Sequence, residues 1–174
     1  MRSAAFVALG FLVLVVQAAV AVLVPLDEWA PNLLLPIVIY LGVANDVHVV
    51  RGAALSFVLG YLLDSFCGSP MGLQTFVMVA SFLIARGAGL SLFTRGPLLQ
   101  MLTIFVFCLL AGGTILALRG IFEPPAPFPL PAFGHTVFSL TAGAAVTAVL
   151  SPLLFVAIRK MDSLVTRRRE ETPA

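Results

Sequence analysis

The stretch VVRGAALSFVLGYLLDSFCGSPMGL, residues 49–73, decides how this chain folds. Arg51 stands near its start, and from Gly52 to Phe66 the only charged side chain is Asp64. Read as a helix rising about 1.5 Å per residue, Val49 to Phe66 is a membrane span, with Arg51 snorkelling to one surface. Cys67-Gly68-Ser69-Pro70 then reads as a tight turn, because Gly and Pro punctuate regular structure. A second apolar run begins at Met71. An apolar run, a Gly-Ser-Pro turn and an apolar return predict a helical hairpin within a membrane.

Composition agrees with that reading. The chain is 60% hydrophobic and 10% charged, whereas soluble domains carry roughly a quarter charged residues. A soluble fold would have no surface on which to place so much Leu, Val, Phe and Ala. Working outward from the hairpin, spans are expected at about 4–25, 32–46, 49–66, 71–86, 97–118 and 136–158. The first run has a competing reading as a signal peptide cleaved after Ala19-Val20-Ala21, but the apolar residues continue beyond that box. The second span is short, and Pro36 is expected to kink it.

The basic residues orient the spans. Arg2, Arg51, Arg86, Arg95, Arg159, Lys160, Arg167, Arg168 and Arg169 fall on one side, and only Arg119 on the other. Lys and Arg are retained in cytoplasmic segments, so both ends lie inside. The expected architecture is an all-α integral membrane protein, a bundle of six transmembrane helices. Residues 1–160 form one transmembrane domain and residues 161–174 a basic cytoplasmic tail. Net charge is only +2, a poor match for nucleic-acid binding, and the run Arg167-Arg168-Arg169 in that tail is drawn to anionic lipid. Cys67 lies near a surface and Cys108 within a span, so no disulfide is expected.

In lipid, helices associate through close backbone approach and side-chain hydrogen bonds. The third span offers a ladder at four-residue spacing, Gly52, Ser56, Gly60, Asp64 and Gly68. The sixth offers Ser139, Gly143, Thr147 and Ser151, and the fourth Ser81, Ala85 and Gly89. These stripes predict a packed bundle centred on spans three, four and six.

Asp64 is the acidic residue embedded in a span, and such a carboxylate is a functional suspect by default. Its place just before the turn gives it a structural role as well: it can accept backbone N–H groups around Gly72 and Leu73 at the start of the fourth span. Asp46 lies about 27 Å away at helical rise, so the two carboxylates cannot form a proton-sharing dyad. His48 and His135 fall on opposite faces and lack second ligands at metal spacing. No HExxH, GxSxG or phosphate-binding glycine loop is present, so no catalytic, cofactor-binding or metal-binding residues are expected. Between the last two spans, Pro124, Pro125, Pro127, Pro129 and Pro131 alternate with Phe122, Phe128 and Phe133. That loop predicts a stiff polyproline II segment, either a partner or membrane contact or a plain spacer.

With the spans in place, residues 31–72 resemble the MreD family, the rod-shape-determining membrane proteins of bacteria. The matching residues are Pro31-Asn32-Leu33-Leu34-Leu35-Pro36 opening a short span, Arg51-Gly52, Gly60-Tyr61-Leu62-Leu63-Asp64-Ser65, and Gly68-Ser69-Pro70-Met71-Gly72-Leu73. Ladder and resemblance together make Gly52, Ser56, Gly60, Asp64, Gly68, Gly72, Pro31, Pro36 and Arg51 the candidates for structural or partner-binding roles. The resemblance implies a non-enzymatic scaffold of the cell-elongation complex in the bacterial inner membrane. Its implied partner is MreC, a single-span protein, with which it links MreB filaments to RodA and a penicillin-binding transpeptidase. It also implies a fold similar to the substrate-binding subunits of energy-coupling-factor transporters. From that fold comes a rival reading, a solute-binding transporter subunit, for which Asp64, Trp29, Tyr61 and Gln74 are the candidate pocket residues.

Overall fold

The structure is a computed structural model that describes residues 2–23, 31–44, 47–67, 72–89, 96–122 and 133–170. Asp46, Trp29, Gly68, Ser69, Pro70, Arg95 and the Pro-rich segment 123–132 lie outside the described residues. The described chain is all-helical: α1 Arg2–Leu23, α2 Leu34–Val43, α3 Val49–Cys67, α4 Leu73–Gly87, α5 Pro97–Phe122 and α6 Phe133–Glu170.

Three helices hold stretches long and apolar enough to cross a membrane: Val49–Phe66 in α3, Pro97–Ile121 in α5 and Gly134–Lys160 in α6. The other apolar stretches, Ala5–Ala19, Leu34–Val43 and Leu73–Gly87, are shorter. The shortest of the six helices is α2, 10 residues long where a span over 32–46 was expected. It rises about 15 Å, half of a typical ~30 Å hydrocarbon core.

Local chemistry sets these limits. Pro36 falls in the first turn of α2, where a backbone N–H has no helical partner to lose. The expected kink at Pro36 therefore has no cause, and the proline starts the helix instead. At the other end Ala44 turns extended, its N–H still bonded to Tyr40 O at 3.0 Å.

A helix that is apolar on every side belongs in the interior. Leu34, Leu35, Ile37, Val38, Ile39 and Leu41 are fully buried, and α2 packs against each of the other helices. Around it close Phe6 and Leu14 of α1, Leu59 and Leu63 of α3, Met78 and Phe82 of α4, Ile104 of α5 and Phe155 of α6. The most extensive pairings are α3 with α4 and α5 with α6. The outer surface is apolar: Leu98, Leu102, Val106 and Leu110 form an exposed row along α5, and Phe57, Tyr61 and Phe66 another on α3. Patches of that size suit lipid contact.

The last helix departs from expectation at its end. The basic segment after residue 160, read as a tail, continues α6 as far as Glu170. Met, Leu, Arg and Glu there are good helix formers, and no Gly or Pro interrupts until Pro173. Pro152 sits inside α6 and lacks the N–H that would bond Ala148 O. Ser151 Oγ donates to that carbonyl at 2.7 Å, and both residues are buried. A hydroxyl thus replaces the missing backbone donor.

Candidate functional site

Three interhelical joints gather the polar groups of the bundle. The first ties α3 to α4. Asp64, buried near the end of α3, accepts the backbone N–H of Gly72 on Oδ2 at 3.0 Å and of Thr75 on Oδ2 at 3.1 Å. Gln74 N–H donates to Oδ1 at 2.9 Å, and the Thr75 hydroxyl donates to Oδ2 at 2.6 Å. One carboxylate thereby satisfies the orphan donors at the start of α4, where the helix dipole also favours negative charge. Gly72 adopts φ 97°, a left-handed conformation that glycine takes without a Cβ clash. Asp64 thus holds the helix start that its position predicted, with Gln74 and Thr75 as donors in place of Leu73.

Close packing continues down the same face. A Cβ on Gly60 would lie 2.6 Å from Thr75 Cα, and one on Gly52 would strike the Phe82 ring. Ser56, fully buried on the same ladder, donates to Gly52 O at 2.8 Å within its own helix. The ladder Gly52, Ser56, Gly60 and Asp64 is therefore covered by α4. Its small residues are taken up by a joint inside this chain, the close helix packing that their spacing predicts.

The second joint fixes the two ends of α2. Just before the helix, Asn32 N–H donates to Thr147 Oγ1 of α6 at 3.2 Å, and Leu33 N–H to Gln17 Oε1 of α1 at 3.1 Å. After it, Arg86 Nη1 of α4 reaches Ala44 O at 2.7 Å and Gly42 O at 3.4 Å. Away from water, helix ends need such partners. Gly42 also lets α4 approach, since a Cβ there would lie 2.9 Å from Ala85 Cβ. Pro31 and Pro36 flank the start of this buried helix, and Arg51 is exposed in the first turn of α3.

The third feature is a cavity of ≈ 340 Å³ at the end of the bundle where α2, α4 and α6 begin. Asn32, Gln74, Cys108, Ser139 and Thr147 are among its lining residues. Of the pocket residues proposed from sequence, Gln74 alone lines it among the described residues. Asp64 is engaged in the α4 cap, and Tyr61 is half exposed on the outside of α3. Sequence reasoning missed Gln17, Asn32, Thr75 and the reach of Arg86. Gln17 had a usable signal, a lone amide in an otherwise apolar run.

The fold and its joints define a helical membrane protein organised around a short, buried central helix, with Asp64, Gln17, Thr147 and Arg86 holding helix ends. The chain belongs to the family of the rod shape-determining protein MreD, whose family model matches residues 2–161. No curated protein and no solved structure matches it.

Proposed function

We propose that this chain is a non-enzymatic scaffold subunit of the bacterial cell-elongation complex, a multi-pass protein of the inner membrane that binds MreC. In that role it helps link MreB filaments to RodA and a penicillin-binding transpeptidase, and so maintains rod shape. The observation that carries this reading is the family match over residues 2–161. The one-sided distribution of basic residues supports six crossings with both ends inside. The apolar rows on α3 and α5 support contact with lipid or with a partner's span. Because α4 closes the α3 stripe, the partner meets another face of the bundle.

The test is purification of the tagged chain from its native membranes in mild detergent, with MreC probed directly. The expected result is co-purification of MreC, together with restored rod shape in cells depleted of their own MreD. Full restoration of shape with no MreC recovered after crosslinking would sink the direct-binding reading.

A further inference from the structure

The scaffold reading makes no use of the cavity at the start of α2, α4 and α6. Among the described residues its lining carries no Asp, Glu, Lys, Arg or His. Two side-chain amides stand in its wall, and each has a buried carbonyl oxygen without a hydrogen-bond partner, Asn32 Oδ1 and Gln74 Oε1. Buried polar atoms are nearly always paired, so two orphans at one cavity require an explanation.

The hydroxyls of Thr147 and Ser139 do not supply it. Thr147 donates its proton to Gly143 O at 2.8 Å while accepting Asn32 N–H, and Ser139 donates to His135 O at 3.0 Å. Both protons are committed to helix carbonyls. Neither is left to donate to Asn32 Oδ1 or Gln74 Oε1. The terminal torsion of Asn and Gln side chains is soft, so a small rotation turns either oxygen towards the cavity.

We propose that this cavity is a binding site for an uncharged group that donates hydrogen bonds, a carboxamide or a hydroxyl, received by Asn32 and Gln74. A charged group would enter with no counter-charge in the lining. An apolar group would leave both oxygens unpaired. A carboxylate has no proton to give. The volume is at the small end of ligand pockets, which run from about 300 to 1,000 Å³. The group arrives either on a free small solute or on a polypeptide held in the membrane, since both carry this chemistry. The inference stands whether or not the chain binds MreC.

Cys108 lines the same cavity, and Cys67 is the other cysteine of the chain. In a Cys67→Ser background, alkylation of Cys108 by N-ethylmaleimide therefore reports occupancy. In native membranes the parent is expected to react at least about tenfold more slowly than the Asn32→Leu/Gln74→Met double variant, because filled space excludes the reagent. Equal rates would mean that the cavity holds only water, and would overturn the proposal. The purified double variant is expected to melt no lower than the parent, since it loses two unpaired buried acceptors. A lower melting temperature would make the amides structural and overturn the proposal as well. Protection lost when the membranes are dialysed identifies a free solute. Protection that survives dialysis and disappears on detergent extraction identifies a membrane-held polypeptide.

Discussion

Thr75 gives Asp64 a short hydrogen bond, 2.6 Å from hydroxyl to Oδ2, in a shell that also contains the backbone N–H groups of Gly72, Gln74 and Thr75. The side chain and the backbone of one residue thus converge on a single carboxylate oxygen. Bonds to a charged acceptor are shorter and stronger than neutral ones. The end of α3 and the start of α4 are thereby locked in one register.

Asp64→Asn keeps the shape but removes the charge and turns one acceptor into a donor facing N–H groups. It is expected to lower stability by about 1–3 kcal/mol. Thr75→Val, which loses only the hydroxyl, is expected to cost about 1 kcal/mol. Thermal unfolding in detergent measures both, and a larger loss for Thr75→Val than for Asp64→Asn would contradict the cap.

Backbone contact at Gly60 makes a separate prediction. A methyl group there meets Thr75 Cα at 2.6 Å, whereas one on Gly113 meets nothing within 4 Å. Gly60→Ala is expected to destabilise the bundle by about 1–3 kcal/mol. Gly113→Ala, in a helix interior, is expected to be neutral or to stabilise by up to about 1 kcal/mol. The same melting assay separates them, and equal behaviour would show that α3 and α4 are not in backbone contact.

Pro152 and Ser151 predict a coupling. Ser151→Ala should cost about 1–2 kcal/mol in the parent, because Ala148 O loses its remaining donor. In a Pro152→Ala background the backbone N–H returns, and the same change should cost little. A double-mutant cycle measures the difference. Additive effects would show that the hydroxyl does not compensate for the proline.

Much of this arrangement was legible from residue types alone. Asp64 before a Gly-rich turn pointed to the start of α4, and the four-residue ladder from Gly52 to Gly60 pointed to a tight helical contact. What the ladder did not reveal was which helix fills it, because small-residue spacing is the same for an internal joint and an external one. The length of α2 was misjudged because Pro36 reads equally as a kink within a span and as the first turn of a shorter helix. Arg86 was read for topology, since a basic residue at a helix end also marks the cytoplasmic side. Its hydrogen bonds to Ala44 and Gly42 are long-range and have no sequence signature. Gln74 was legible as a pocket residue, but the place of Asn32 beside it was not, for the same reason: Asn32 and Thr147 are neighbours only in the folded bundle.

Arg86 offers the next test. Arg86→Met removes the donor that holds the last carbonyls of α2, and faster hydrogen exchange is expected across residues 34–43. Arg86→Lys, with a single compact ammonium, should restore part of the protection. Exchange unchanged in Arg86→Met would show that the contact holds nothing.

The six-crossing layout is tested by reporter fusions. Fusions within residues 91–96 should report the cytoplasm, and fusions within residues 123–132 the outside. The opposite result at either place would remove the inside orientation of both ends.

The central helix is the second to leave the ribosome; Gln17 already precedes it, yet two of its fastenings come from further along the chain. Ala44 waits for Arg86, and Asn32 waits for Thr147. Until α6 is synthesised, the innermost segment carries a backbone group with no acceptor. Biogenesis therefore runs out of order, with the middle of the molecule finished last. A nascent chain halted before residue 147 lacks the hydroxyl that receives Asn32 N–H in the finished bundle.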